Sequence, residues 1–376
     1  MPLALNPQSD LSLQGKRILW HVSAHGWGHA ARQRELIRTV KERYPGVSIS
    51  LVSSAPDWFW EGAAVGRIVQ GNLSPITLEK NGVPDRELTA ANLSKFLSME
   101  KDLLSEQLHL QSATAADLVI TDIDPLPVKA ADINSIPAIG IGNFTWDWIL
   151  SEMCPDLKEE TDRIAEMYST GIYLRLPMGP DHSPFKTSFE MPLLRGGPRG
   201  RPEQVKNLLP QEGVRCLVAF RHLPESFPAE FPEGMTVITS MPQPQKPGWL
   251  NIPQKTLSVH EASFADLVAA ADVVITKPGY GIVSQILSMG KPAVLVPGGM
   301  FPEEKHLLSA LKHRESTEIT DISCCSHLFQ KAMKVTRSGV PKAESSEGAH
   351  LITSFIGSNL NRYRLPFWLS STYTLS

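Results

Sequence analysis

The regular alternation of apolar strands with helix-forming segments most constrains how this 376-residue chain folds. An apolar, β-rich segment at residues 17–23 leads through a glycine-bearing loop into helical spacing at residues 30–43, and a second strand follows at residues 47–52. A strand, a helix and a strand within about 35 residues form a βαβ unit, which implies a parallel sheet with a right-handed crossover. Further strands are predicted at residues 117–121, 138–142 and 171–176, and further helices at residues 89–115, 127–134 and 156–169.

The same alternation starts again after a stretch rich in proline and glycine at residues 177–202, which we interpret as a linker. Here strands are predicted at residues 214–220, 235–239, 256–259, 272–276 and 292–296, and helices at residues 264–270, 282–289 and 303–312. Two such series predict an α/β protein with two doubly wound, Rossmann-like domains facing a central cleft. We expect an N-terminal domain at residues 1–190, a C-terminal domain at residues 191–350 and a tail at residues 351–376.

Charge and composition weigh against several classes of protein. The formal net charge of −3 provides no general basic field for nucleic acid. The first 14 residues lack the pattern of a secretory leader, and no run of about 18 apolar residues is present to span a bilayer. The four cysteines match no zinc-binding spacing. We therefore expect a cytoplasmic protein with no nucleic-acid partner.

A glycine-bearing turn, Lys-Pro-Gly-Tyr-Gly at residues 277–281, joins a predicted strand to a helix that carries Ser284 and Gln285. Backbone N–H groups and the dipole at the start of a helix attract anions such as phosphate. Lys277 would add a positive charge for a diphosphate, and Gln285, about one helical turn further on, could bind a ribose hydroxyl. The alternative is that the glycines merely permit a tight turn, because glycine loops are weak motifs on their own.

Together with the following Gly-Lys-Pro-Ala-Val-Leu-Val-Pro at residues 290–297, this turn resembles the donor signature of GT-B glycosyltransferases. That family includes plant UDP-glycosyltransferases and the N-acetylglucosaminyltransferase of peptidoglycan synthesis. The resemblance implies that Lys277 and Gly279 contact the donor diphosphate. The ribose contact, acidic in the family, falls on Gln285, which keeps a hydrogen bond but loses the charge. The donor-side residues expected on this basis are Lys277, Gly279, Tyr280, Gly281, Ser284, Gln285, Glu303, Glu304 and Arg221.

Three of these residues carry particular expectations. Either Glu303 or Glu304 falls near the family's acidic contact to the transferred sugar. Arg221 stands where relatives often carry a glycine pair, and it either supplies a cation in place of backbone N–H groups or lies at the surface.

In the N-terminal half, the loop His25-Gly-Trp-Gly-His29 follows the first strand. The resemblance to inverting GT-B enzymes implies that His29 is the general base for the acceptor hydroxyl. A base of this kind is commonly oriented by a carboxylate, and Asp122, at the end of its own strand, is the candidate. His25 is a competing base or an acceptor contact, and His29 is alternatively a loop histidine satisfied by the helix N-terminus. The acceptor-side residues expected are His25, Gly26, Gly28, Trp146 and Asp147.

The segment Asn-Phe-Thr-Trp-Asp-Trp at residues 143–148, with residues 25–33 and 121–131, resembles the N-terminal glycosyltransferase-like domain of plant L-arabinokinase and bacterial stand-alone relatives. We expect no sugar-kinase module, since no G-x-x-x-x-G-K-[ST] loop is present, so phosphoryl transfer is not carried over from that resemblance. Trp146 and Trp148 either stack on a sugar or pack in the core. Asp147 is expected to accept a hydrogen bond from a sugar hydroxyl. At least one of Arg32 and Arg34 is expected on a solvated helix face.

Two other features allow alternatives. The sequence Asp122-Ile-Asp124 matches the D-x-D metal motif of the other glycosyltransferase fold, but that fold has a single mixed sheet, so we expect a strand-end turn and no metal. The tail, with a helix at residues 348–356 and an aromatic stretch at residues 361–369, is expected to pack on the N-terminal domain; the alternative is contact with a membrane surface.

The sequence therefore predicts an inverting, metal-independent hexosyl- or pentosyltransferase that needs no cofactor. Its partners would be a nucleotide-sugar donor, with a UDP-sugar expected, and a small-molecule, glycan or lipid-linked acceptor. The alternatives are a catalytically silent nucleotide-sugar-binding module, suggested by Gln285 and Arg221, and a nucleotide-sugar epimerase or hydrolase on the same scaffold.

Overall fold

The computed structural model describes residues 13–23, 26–63, 65–70, 73–80, 83–196, 200–220, 223, 227–240, 246–299, 301–320, 327–345 and 347–359. The N-terminal strands are β1 (Arg17–Val22), β2 (Ser48–Ser53), β3 (Arg67–Gln70), β4 (Glu79–Lys80), β5 (Val83–Pro84), β6 (Leu118–Asp122), β7 (Ala138–Gly142), β8 (Ile172–Arg175) and β9 (Thr187–Glu190). The helices among them are α1 (Gly26–Arg43), α2 (Asp57–Trp60), α3 (Arg86–Ser98), α4 (Glu100–Ala113), α5 (Pro125–Ile133), α6 (Trp146–Met153) and α7 (Lys158–Glu166).

The second series contains strands β10 (Val214–Ala219), β11 (Met235–Thr239), β12 (Leu250–Asn251), β13 (Val273–Thr276), β14 (Ala293–Leu295) and β15 (Thr317–Ile319). Its helices are α8 (Pro202–Lys206), α9 (Gln254–Val259), α10 (Phe264–Ala270), α11 (Tyr280–Met289), α12 (Glu304–Leu311), α13 (Leu328–Arg337) and α14 (Gly348–Asn359).

These strands form two large parallel sheets. The first has the order β3-β2-β1-β6-β7-β8-β9 and the second has the order β12-β11-β10-β13-β14-β15, while β4 and β5 form a separate antiparallel pair. Because helices cover both faces of such sheets, central strands such as β6 and β13 are buried along their whole length. The prediction of two doubly wound α/β halves is confirmed.

The strand order reverses at β1/β6 in the first sheet and at β10/β13 in the second. Crevices form outside the carboxyl ends of strands at such switch points, because the flanking crossovers leave in opposite directions. His29 follows β1, Asp122 ends β6 and Lys277 follows β13, so the predicted site residues lie at the two switch points.

Three predicted segments differ in the structure. Residues 256–259 were expected as a strand but belong to helix α9. This helix begins directly after Pro253, whose ring fixes its φ angle, and of the four residues only Leu257 is buried. The helix predicted at residues 89–115 is two helices separated at Met99. The stretch interpreted as a linker contains β9, which pairs with β8 and completes the first sheet.

The two halves meet at helix starts. A Cβ atom on Gly281, in the first turn of α11, would lie 3.1 Å from the Cα atom of Gly28 in the first turn of α1. A side chain at residue 281 would require the two helix starts to move apart by a few tenths of an ångström, so their close approach favours glycine here. Helix α14 contacts α1, and Arg43 of α1 donates a hydrogen bond to Ser354. The aromatic stretch at residues 361–369 lies outside the described residues.

No helix in the described part of the chain is long and apolar enough to cross a bilayer.

Candidate active site

Helix α1 places a polar face against the end of β6. His29, Arg32 and Gln33 are spaced at i, i+3 and i+4, so they share one side of the helix. Strands β1 and β6 are neighbours in the sheet, and Asp122 lies in register with Val22 at the carboxyl ends of the two strands. The fold therefore brings Asp122 beneath the first two turns of α1.

Asp122 is completely buried and accepts four hydrogen bonds at its carboxylate. Its Oδ1 atom lies 2.8 Å from His29 Nδ1 and 2.7 Å from Arg32 Nη2, and its Oδ2 atom lies 2.9 Å from Arg32 Nε and 2.8 Å from Gln33 Nε2. Burial alone would raise the pKa of Asp122, but the charges and hydrogen bonds of Arg32 and His29 outweigh it and hold this pKa well below its usual value. Asp122 is therefore a carboxylate at any physiological pH.

His29 is held as a neutral imidazole. Burial lowers its pKa, Arg32 lowers it further, and the opposing effect of Asp122 does not compensate. Two groups approach Nδ1: Asp122 Oδ1, which can only accept, at 2.8 Å, and Arg32 Nη2, which can only donate, at 3.0 Å. We assign the ring proton to Nδ1, where it serves the shorter contact with Asp122, and the lone pair to Nε2; Arg32 Nη2 then donates to Asp122 and not to the imidazole. The ring of Trp146 is stacked on the imidazole of His29, with 6.4 Å between the ring centres. The ring of Phe144 lies edge-on to the imidazole, with 5.9 Å between the ring centres. The structure thus fixes the tautomer and the plane of a histidine suited to accept a proton at Nε2.

At least one of Arg32 and Arg34 was expected on a solvated helix face; Arg34 is half-buried, and Arg32 is only 1% exposed. Its side chain is held by Asp122 and by Asn143, whose Oδ1 atom accepts from Nη1 at 3.1 Å. Its guanidinium also lies 5.1 Å from the centre of the Tyr280 ring. The buried carboxylate explains the burial of the arginine, since each ion neutralises the other.

A hydrogen bond between Asn143 and Glu303 connects the two halves at this point. Asn143 follows β7, and its Nδ2 atom donates to Glu303 Oε1 at 2.7 Å. Glu303 lies at the start of α12 in the second series. Burial raises the pKa of Glu303 to about 7, although the bond from Asn143 and the charge of Arg32 oppose the rise. A continuous chain of polar contacts therefore runs from His29 across the cleft to Glu303.

On the donor side, the start of α11 presents open space. Gly279 is the N-cap residue, no side chain caps the helix, and a Cβ atom at Gly279 would meet nothing within 4 Å. Lys277 follows β13 with its side chain 36% exposed, and its Nζ atom lies 3.8 Å from Glu304 Oε1. The uncapped N–H groups and the lysine together form a positively polarised, accessible turn.

The other predicted donor-side residues are buried and bonded within the protein. Glu304 accepts from the backbone N–H of Gly299 at 2.7 Å, so it supports the loop after β14. Tyr280 accepts from Leu194 at 3.3 Å. Ser284 donates to Gly281 in its own helix, and Gln285 donates to the Gly196 carbonyl at 3.3 Å. The Oε1 atom of Gln285 is buried and has no hydrogen-bond partner among the described residues, so a ribose hydroxyl that donates to it need not displace the bond to Gly196.

Of the predicted acceptor-side residues, Trp146 is fully buried and packs against His29. Of the two alternatives for this side chain, stacking on a sugar or packing in the core, the structure therefore has the second. Asp147 is also buried, and its Oδ2 atom lies 2.6 Å from His182 Nε2, a partner that sequence reasoning did not identify. Gly26 begins α1. His25 and Arg221 lie outside the described residues.

Comparison with known proteins gives the family. The model of the family described as glycosyl transferase family 1 matches residues 16–223, which is more than half of the chain. The chain belongs to glycosyl transferase family 1. This family member is also 26% identical over 337 residues to L-arabinokinase from Arabidopsis thaliana, a match that covers 82% of the chain and 31% of that protein. It thus spans less than a third of the length of this curated relative.

Solved structures similar to this glycosyl transferase family 1 member establish its fold as GT-B. One is the spinosyn rhamnosyltransferase complexed with thymidine diphosphate, with a TM-score of 0.57 and 13% identity, covering 92% of this chain and 95% of that chain. Another is a protein described as a UDP-N-acetylglucosamine 2-epimerase from Listeria monocytogenes, with a TM-score of 0.58 and 12% identity, covering 92% and 97% of the two chains.

Proposed function

We propose that this glycosyltransferase acts by inversion and without a metal, using His29 as the general base. The observation that carries the proposal is the His29–Asp122 pair at the β1/β6 switch point, facing the half that holds the open start of α11. A neutral imidazole with its proton fixed at Nδ1 is the form that can remove a proton from an acceptor hydroxyl.

In the proposed reaction, Nε2 of His29 accepts the hydroxyl proton while the acceptor oxygen bonds to the anomeric carbon of the donor sugar. The bond from that carbon to the diphosphate oxygen breaks, and the oxygen keeps the electron pair. Asp122 stabilises the imidazolium that forms, and Asp122 itself stays ionised because Arg32 pairs with it.

The leaving diphosphate would gain negative charge at the start of α11, where Lys277 and the uncapped N–H groups lie. Fixed positive groups of this kind stabilise charge that develops in the transition state. We therefore propose a nucleotide-diphosphate sugar as donor, with a UDP-sugar as the first candidate. The related rhamnosyltransferase, which was solved with thymidine diphosphate, supports the class of donor and leaves the base open.

The test is incubation of the purified chain with labelled UDP- and GDP-sugars, with and without simple acceptor alcohols. We expect release or transfer of the sugar that falls about 100-fold or more in His29→Asn, the range typical of a lost general base. His109, an exposed histidine of α4, provides the matched control, and His109→Asn should behave like the wild type. Equal turnover in the two variants would contradict the role of His29.

The similarity to the epimerase makes a nucleotide-sugar epimerase the second candidate. The same incubation separates the two, because an epimerase returns an altered sugar still linked to its nucleotide. Saturable binding of a nucleotide sugar without turnover would instead identify a silent binding module, which remains a third candidate because Gln285 stands in place of the family's acidic ribose contact.

A further inference from the structure

A second polar site lies on the opposite face of the N-terminal sheet from the catalytic pair. Neighbouring residues of a strand point to opposite faces, so His21 of β1 faces away from the side on which α1 covers Asp122. A cavity of about 30 Å³ lies there, lined by His21, Asp124 and Gln107 of α4, among others. Nothing in the proposed transfer chemistry uses these three residues.

Each of these three side chains has a buried polar atom without a hydrogen-bond partner in the part of the chain that the structure describes. The atoms are His21 Nε2, Gln107 Oε1 and Asp124 Oδ1. His21 is 2% exposed, Gln107 is 7% exposed and Asp124 is half-buried, but the three atoms themselves are buried, so bulk water does not supply the missing bonds. Buried polar atoms are nearly always paired, so a cluster of three around one cavity indicates a ligand or ordered water.

The backbone reinforces this interpretation at Ile123, between Asp122 and Asp124. Its φ of 60° is left-handed, a conformation that β-branched residues rarely adopt. The Tyr168 hydroxyl donates a hydrogen bond to the Ile123 carbonyl and holds the turn in place. This turn lets Asp122 bond to α1 while Asp124, two residues on, lines the cavity. Unfavourable backbone conformations are retained mainly where they place functional groups.

The chemistry of the three atoms selects the ligand. Gln107 Oε1 and Asp124 Oδ1 are acceptors, and His21 is kept neutral because burial lowers its pKa to about 3, so its Nε2 atom can accept as well. Burial also raises the pKa of Asp124 to about 7, partly offset by a hydrogen bond with Ser74, so a nearby cation would favour its ionised form. No lysine or arginine is among the described residues that line the cavity.

We propose that this cavity binds a primary ammonium group, whose three N–H donors match the three unpartnered acceptors and whose charge matches Asp124. The cavity volume of about 30 Å³ leaves room for a head group of the size of an ammonium. Apolar side chains such as Phe96 and Leu103 complete the lining and would contact the carbon stem of an amine. The inference goes beyond the proposed transfer reaction and does not depend on it.

The test uses ethylammonium chloride, titrated into the full chain at pH 8 by calorimetry and by thermal shift, with ethanol and sodium chloride at matched concentrations. We expect saturable binding of ethylammonium alone. Asp124→Asn, which is nearly isosteric and removes the carboxylate charge, should weaken that binding about 10-fold or more, the effect of a lost charge-assisted hydrogen bond. Asp132→Asn, at an exposed aspartate of helix α5, which begins directly after Asp124, is the matched control and should bind like the wild type.

Equal effects of ethanol and ethylammonium, or unchanged binding in Asp124→Asn, would show a water-filled cavity and overturn the inference. The unliganded melting temperature of each variant separates loss of binding from loss of folding. Because the cavity and the base lie on opposite faces of the sheet, ethylammonium binding should persist in His29→Asn. Failure of amine binding with His29-dependent turnover intact would reject this site alone, and the reverse result would reject the transferase proposal alone.

Discussion

Replacement of Arg32 by methionine should reveal how strongly the site depends on one buried ion pair. Methionine keeps much of the side-chain volume but removes the charge, two hydrogen bonds to Asp122 and one hydrogen bond to Asn143. Asp122 would remain fully buried, with His29 and Gln33 as its polar partners. Removing one partner of a buried pair typically destabilises a protein by about 3–5 kcal/mol, because the other charge is left uncompensated.

The loss should depend on pH in a defined direction. In the wild type the pKa of His29 is lowered from 6.5, so the folded state binds fewer protons than the unfolded state and acidification through this range is destabilising. In Arg32→Met one cause of the lowering is gone and Asp122 remains, so the pKa of His29 rises. Protonated His29 then pairs with Asp122. The difference in stability from the wild type should therefore be largest near pH 8 and shrink towards pH 6.

Urea denaturation at a series of pH values measures this difference. Arg38→Met is the control on the same helix, because Arg38 is half exposed and pairs with Glu35 and Glu42 at the surface. It should change stability by less than about 1 kcal/mol. The double variant Arg32→Met/Asp122→Asn should recover much of the loss. A deficit for Arg32→Met below about 1 kcal/mol, or no recovery in the double variant, would refute the reasoning.

Three further outcomes are expected. Turnover should fall on acidification with a midpoint below pH 6.5, because the lowered pKa of His29 delays its protonation; a pH–rate profile of kcat/KM measures this. Lys277→Ala should weaken binding of a nucleoside diphosphate about 10-fold, seen as a lost thermal shift, because it removes the exposed cation beside the start of α11. Gly281→Ala should destabilise the chain by about 1–3 kcal/mol in urea denaturation, because its Cβ atom would lie 3.1 Å from Gly28, whereas Gly279→Ala has open space and should cost less.

Each of these outcomes has a clear contradiction. An acid limb above pH 6.5 would mean that His29 is not the group that titrates. An unchanged thermal shift in Lys277→Ala would place the diphosphate elsewhere. Equal stability of the two alanine variants would show that the helix starts are not in tight contact.

The architecture was predictable because periodic apolar patterning is local information. Buried strands of a parallel sheet are continuous apolar runs, and those of β1, β6 and β13 are visible without any knowledge of their neighbours. The segment at residues 256–259 misled because its composition favours a strand, while the preceding Pro253 and the surrounding packing favour a helical turn.

The partners of the site residues were less predictable, since they depend on contacts between distant parts of the chain. Arg32 lies at a position where a surface arginine is usual, and its burial follows from Asp122, 90 residues away. Asn143 and Glu303 are separated by 160 residues, and no local pattern indicates that their side chains meet. The one local signal was the spacing of Arg32 three residues after His29, which places both on the same face of α1.

The bond between Asn143 and Glu303 has a consequence for protein engineering. Exchanging the C-terminal half for that of a relative is an obvious route to a new sugar specificity, since each half has its own sheet. A graft without Glu303 would leave Asn143 without its acceptor, and a graft without Tyr280 would remove the ring beside Arg32. A larger residue in place of Gly281 would collide with Gly28. Functional chimeras should therefore be obtained only when the grafted C-terminal half contains these three residues, however different its other residues are.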